Sequence, residues 1–115
     1  MITKIDTPSE YEQLLDHVDL FNKTFESKND ASLRLALVTE ESAELWKAIV
    51  KEKSPEEIEG EFGDLLYVVF GWGLLQGINP YRAIENVMAK NQKKIDNRAN
   101  YRISAAGKVL KPDDE

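Results

Sequence analysis

A chain of 115 residues is enough for one domain, residues 1–115, with one hydrophobic core and no room for a second. With 42% hydrophobic and 31% charged residues it suits amphipathic helices in water, and its formal net charge of −6 argues against a partner nucleic acid, which asks for a basic stripe. The absence of cysteine excludes disulfides and thiolate metal sites, the start of the chain lacks a signal-peptide core, and the longest apolar run, Leu65 to Leu75, is too short to span a bilayer. A cytoplasmic protein with no membrane partner is the expectation.

Thr7, Pro8 and Glu10 have the form of a helix start: Thr as N-cap, Pro at the first helical position, and Glu completing a capping box. Leu14, Leu15, Val18, Phe21 and Phe25 then recur at helical spacing, which predicts a first helix from about Pro8 to Phe25. A polar break, Ser27 to Asp30, precedes a second helix predicted from Ala31 to about Lys53, free of Gly and Pro. Ser54, Pro55 and Glu57 repeat the start signal, so a third helix is expected from Pro55 to about Gln76, with Gly77 as its left-handed cap. The short connection makes the second and third helices an antiparallel hairpin.

The third helix is apolar nearly all round from Leu65 to Leu75, and such a helix must be covered on more than one side. Gly60, Gly63, Gly71 and Gly73 each weaken a helix interior by roughly 1 kcal/mol relative to Ala, an expense that close helix approach would offset. A homodimer through Phe70, Trp72 and Leu74 is therefore expected. Asn79 and Pro80 open a fourth helix with an apolar stripe of Ala83, Ile84, Val87, Met88 and Ile95 and a basic second half. From Tyr101 to Glu115 the sequence reads as loop or tail. The fold class is all-α, an antiparallel helical bundle of about four helices.

The chemistry lies in Glu40, Glu41 and Glu44, followed seventeen residues beyond Glu44 by Glu61 and Asp64. At 3.6 residues per turn Glu41 stacks on Glu44, and Glu61 stacks on Asp64. Leu33, Leu37 and Ala48 share the first shelf's face, and Leu65, Val68 and Trp72 lie beside the second. Carboxylates crowded onto apolar surface repel one another and resist desolvation, so they need protons, basic partners or a cation. All-oxygen ligands favour a hard ion, and magnesium commonly joins a few carboxylates to substrate phosphates. Neither GxxxxGK[ST] nor GxGxxG is present.

The pattern EExxE then ExxD on one hairpin, with Leu37 to Ile49 around the first part and Gly63 to Tyr67 around the second, resembles the MazG-like and phosphoribosyl-ATP pyrophosphohydrolase-like superfamily of all-α nucleotide pyrophosphohydrolases. The resemblance covers roughly Leu35 to Lys94. It implies magnesium ligands at Glu41, Glu44, Glu61 and Asp64, with manganese able to substitute. Glu40 would bind a further ion or orient the attacking water, so that Glu40 and Glu41 are the catalytic pair. Lys90, Asn91 and Lys94 would contact the substrate. The implied reaction is hydrolysis of a (deoxy)nucleoside triphosphate between its α and β phosphorus atoms to monophosphate and pyrophosphate. The segment Gly107 to Pro112 is similar to a branch that includes phage enzymes of nucleotide metabolism, and the expected oligomer is a dimer or dimer of dimers.

Other readings stand beside this one. Glu40, Glu41 and Glu44 could be solvated surface residues with Lys47 and Lys51 as salt-bridge partners. Lys90, Lys93 and Lys94 could simply complement a helix C-terminus. Phe21, Phe25 and Trp46 suit a nucleobase or a core, and His17 is expected to be a partly exposed helix residue. A di-iron bundle is excluded because ExxH is absent. The alternatives in function are the same fold acting on phosphoribosyl-ATP or a modified nucleotide, and a non-enzymatic dimeric helical interaction protein.

Overall fold

The computed structural model describes residues 9–28 and 30–111. These fall in two compact units, Met1–Asn79 and Pro80–Glu115, which are taken separately.

The first unit holds helices α1 (Glu10–Thr24), α2 (Ala31–Val50) and α3 (Pro55–Leu75). Helix α1 starts two residues later than the sequence suggested. Its N-cap is Ser9, whose hydroxyl accepts from the Glu12 amide at 3.1 Å, and the Glu12 carboxylate accepts from the Ser9 amide at 3.3 Å. The capping box is therefore Ser9 with Glu12 rather than Thr7 with Glu10; Thr7 and Pro8 lie outside the described residues. Asp30 caps α2 through the Leu33 amide, and Ser54 caps α3 through the Glu57 amide, with Pro55 at the first helical position.

Helix α2 stops at Val50, short of the expected Lys53, because Glu52 adopts a left-handed φ of 52°. The Lys53 amide then donates to the Ala48 carbonyl at 3.0 Å and the Glu52 amide to that of Ile49 at 3.1 Å, a Schellman closure. Gly77, at φ 75°, closes α3 in the same way as expected.

Helices α2 and α3 form the antiparallel hairpin: the Trp72 indole N–H near the end of α3 donates to the Ala31 carbonyl at the start of α2, at 2.9 Å. Helix α1 crosses α3 at Gly71, where an added Cβ would stand 3.7 Å from Val18 Cγ1 and 3.6 Å from Asn22 Oδ1. The buried Asn22 amide donates to the Gly71 carbonyl at 3.3 Å, so its polar group is satisfied. Close approach thus explains Gly71. It does not explain Gly60 and Gly63, around which a Cβ would meet nothing within 4 Å.

Among the described residues, Val18 and Ala48 are the buried hydrophobic side chains, a small core for so apolar a sequence. Phe62, Leu66 and Val69 form an exposed stripe on α3, and Trp46, Ile49 and Val50 form one on α2. Phe70, Trp72 and Leu74, the expected interface, are each half-buried within the chain.

The second unit contains α4 (Pro80–Asp96), a 3-10 turn (Arg98–Asn100), and strands β1 (Arg102–Ile103) and β2 (Val109–Leu110). Where loop or tail was expected, a small antiparallel hairpin pairs Arg102 with Leu110 and Ile103 with Val109. Gly107, at φ 86°, makes its tight turn, and the Ser104 amide donates to the Lys108 carbonyl at 2.8 Å. The apolar stripe of α4 is exposed at Ile84, Val87, Met88 and Ile95. No helix among the described residues is long and apolar enough to cross a membrane.

Candidate active site

Because α2 and α3 run antiparallel, the acids of the two shelves meet across the hairpin. One carboxylate oxygen from each of Glu41, Glu61 and Asp64 lies within 4.8 Å of the others, a grouping able to hold a metal ion. Glu41 and Glu61 are half-buried, while Asp64 is exposed. Removal from water, reinforced by the nearby charges of Asp64, Glu61, Glu44 and Glu40, pushes the Glu41 carboxyl above its ordinary pKa. That cost is what a cation would relieve, and three converging oxygen donors suit a hard divalent ion.

Two expected residues stand apart from this grouping. Glu44 turns to Lys47, whose ammonium donates to Glu44 Oε1 at 3.4 Å, the salt bridge anticipated from helical spacing. Glu40 is exposed and lines a cavity of about 740 Å³ beyond Phe21. In the second unit, Lys90 and Asn91 are exposed, and half-buried Lys94 lines a small cavity with Arg98, Tyr101 and Ile103.

The acidic cluster borders two spaces, and a third adjoins the first of them. A cavity of about 480 Å³ reaches Glu41 and Asp64 and is walled by His17, Phe21, Tyr67 and Val68. The cavity of about 740 Å³ shares Phe21 and Val68 with it. On another side, Glu44 and Glu61 line a pocket of about 120 Å³ with Lys47, Lys51 and Lys53. Carboxylates at the centre are therefore flanked by apolar and aromatic space in one direction and by ammonium groups in another.

Sequence reading missed two features of these walls. His17 is exposed as expected, but its Nδ1 lies 2.9 Å from the Tyr67 hydroxyl, the rings meet edge to face at 5.9 Å, and the pair borders the cavity that reaches Glu41. The second is Arg34, whose side chain lines the larger cavity while its Nε, sealed from water, has no hydrogen-bond partner. No motif could have disclosed either, since each acquires its place from packing across helices. Phe21 and Phe25, equally suited to core or base, line the larger cavity and are 46% and 68% exposed, whereas Trp46 lies outside all of these walls.

A helical hairpin that brings three carboxylates together beside an aromatic cavity has oxygen donors that could hold a hard divalent ion. The model of the phosphoribosyl-ATP pyrophosphohydrolase family matches residues 9–91, and the chain belongs to that family. Searches of curated proteins and of solved structures gave no match. Family membership makes the chain a pyrophosphohydrolase of the nucleotide class and agrees with the resemblance read from the paired acidic motifs.

Proposed function

We propose that this domain hydrolyses (deoxy)nucleoside triphosphates between the α and β phosphorus atoms, releasing the monophosphate and pyrophosphate. The observation that carries the reading is the convergence of Glu41, Glu61 and Asp64 between an aromatic cavity and a lysine-lined one. Glu41, Glu61 and Asp64 hold magnesium, or manganese in its place, and Glu44 joins them on release from Lys47. The ion, when bound, acidifies a water and neutralises charge on the phosphates.

The chain's own groups divide the remaining work. Glu40 and Glu41 orient the water and accept its proton as its oxygen bonds to the α phosphorus and the bond to the bridging β oxygen breaks. Lys47, Lys51 and Lys53 face the departing pyrophosphate, and the nucleoside lies toward Phe21 and Tyr67. Lys90, Asn91 and Lys94 enter as substrate contacts on the resemblance alone, and loss of substrate affinity on Lys94→Ala tests them.

The match to the phosphoribosyl-ATP family model supports a second reading, in which that nucleotide is the substrate of the same site. A panel of common nucleoside triphosphates and phosphoribosyl-ATP, assayed with magnesium for pyrophosphate release, separates the two. Release from none of them would refute both and leave the non-enzymatic interaction protein. The exposed stripes of α2 and α3 support a homodimer, covered at Leu66 and Val69 as well as near Phe70, Trp72 and Leu74. Its setting on this reading is the cytoplasmic nucleotide pool.

A further inference from the structure

We propose that Arg34 reads the outer edge of the nucleobase and selects bases carrying a carbonyl there, guanine, thymine and uracil, over those carrying an amino group, adenine and cytosine. The inference rests on the reading above, in which the nucleoside lies toward Phe21.

Arg34, Leu37 and Glu41 follow one another at helical spacing on α2, and both Arg34 and Leu37 line the larger cavity. Arg34 and Glu41 are seven positions apart, about 10.5 Å along the axis, comparable to the reach of a nucleoside from its 5′ oxygen to the far edge of its base. Phosphates at Glu41 therefore send the base past Phe21 and Val68, which the two cavities share, toward Arg34. The cavity, about 740 Å³, falls in the range of small-molecule sites, and Phe21 and Phe25, with ring centroids 4.8 Å apart, offer it aromatic surface.

A base whose glycosidic bond lies on the phosphate side presents the atom on C4 of a pyrimidine or C6 of a purine to the far wall. In guanine, thymine and uracil that atom is a carbonyl oxygen; in adenine and cytosine it is an amino nitrogen. Arg34 can only donate. Its side chain forms no ion pair or hydrogen bond with any described residue, so the part of the guanidinium that lines the cavity has donors to offer an acceptor there. Lys28, on the same wall, adds a second donor. Glu26 also lines the cavity and would favour an amino edge, but it is exposed and can be satisfied by solvent. With Glu26 and Glu40 beside the two cations the wall is balanced in charge, which suits a neutral base better than a second phosphate.

The test compares kcat/KM for dGTP, dTTP and dUTP with that for dATP and dCTP, and calorimetric binding of the five monophosphates without metal. The wild-type protein should favour the carbonyl bases about 10-fold or more in both readouts. Arg34→Met should remove the preference by weakening those bases while sparing dCMP and dAMP. Equal binding of all five monophosphates, absence of binding, or a preference for amino bases, which would hand the edge to Glu26, overturns the inference without any variant. A uniform loss across all bases in Arg34→Met also overturns it, by placing Arg34 on a phosphate. Monophosphate binding does not need hydrolysis, so failure of the pyrophosphohydrolase reading and failure of base selection show up in different measurements.

Discussion

On one face of the α2–α3 hairpin the half-buried positions include carboxylates, Glu41 and Glu61; on another, the exposed positions are apolar, Trp46, Ile49 and Val50 on α2 and Phe62, Leu66 and Val69 on α3. Water would prefer the reverse on both counts. The contrast teaches that each face offers a surface suited to something other than water, and the proposed function supplies a different component for each. For the acidic face the proposed component is a small cation, since three oxygen donors converge within 4.8 Å of one another and one of the carboxyls has its pKa raised. For the apolar face the proposed component is the hydrophobic surface of a second copy, the kind of partner a contiguous exposed stripe suits.

The contrast breaks first on the acidic side. Glu61→Gln or Asp64→Asn removes one charged oxygen donor from the cluster without changing side-chain volume, so the helices should remain folded while magnesium-dependent pyrophosphate release falls by about 10²-fold or more. Circular dichroism alongside the assay checks both halves of that expectation. Glu44→Gln should do less harm, since Glu44 stands outside the close group and is already engaged by Lys47. Equal losses at all three positions would mean that substrate or metal draws Glu44 in fully.

On the apolar side, Leu66→Glu and Val69→Glu place a charge in the exposed stripe, where it is harmless to a lone chain and costly in a protein contact. Sedimentation at micromolar concentration should show a dimer for the wild type and a dissociation constant raised by about 10²-fold for either variant. A wild-type monomer with unchanged activity would end the comparison, because the hairpin would then carry its apolar face uncovered at no cost.

The raised pKa of Glu41 gives a gentler test. Its carboxyl holds its proton more tightly in the folded chain than in the unfolded one, so metal-free stability should fall as pH rises from the ordinary value of 4.5 through the raised one, then level off. Magnesium should oppose this trend by favouring the ionised cluster, with stabilisation of about 2.7 kcal/mol at 100 times its Kd. Thermal melts of wild type and Glu41→Gln across that pH interval, with and without magnesium, read the effect directly. The metal-free downward slope should be smaller in Glu41→Gln, and the magnesium increment should nearly vanish.

How far these features could be read without coordinates depends on how local their causes are. The caps at Asp30, Ser54 and Gly77 and the antiparallel hairpin are matters of neighbouring residues, and the helices follow them closely. The end of α2 was misjudged because nothing in the letters announces that Glu52 will take a left-handed φ that glycine usually supplies. The strand pair after α4 was missed because two-residue strands are too short for a periodic signal. For the site, spacing sufficed to group Glu41, Glu61 and Asp64. It could not show that Lys47 diverts Glu44 or that His17 meets Tyr67, which depend on side-chain direction and on a helix fifty residues away.

The smallest effect separates the two faces at the level of single glycines. Gly60 and Gly63 have open space where a Cβ would go, so within one chain Gly60→Ala should stabilise α3 by about 1 kcal/mol, the ordinary difference in helix propensity. Gly71→Ala should gain less, because its Cβ would already be in contact with Val18 and Asn22 at 3.6 to 3.7 Å. If Gly60 or Gly63 instead meets a second copy of the chain, the same substitution would raise the dissociation constant and lower the melting temperature at low protein concentration. Chemical denaturation of the three variants at two protein concentrations therefore distinguishes a glycine left over in a helix from one kept for an intermolecular approach.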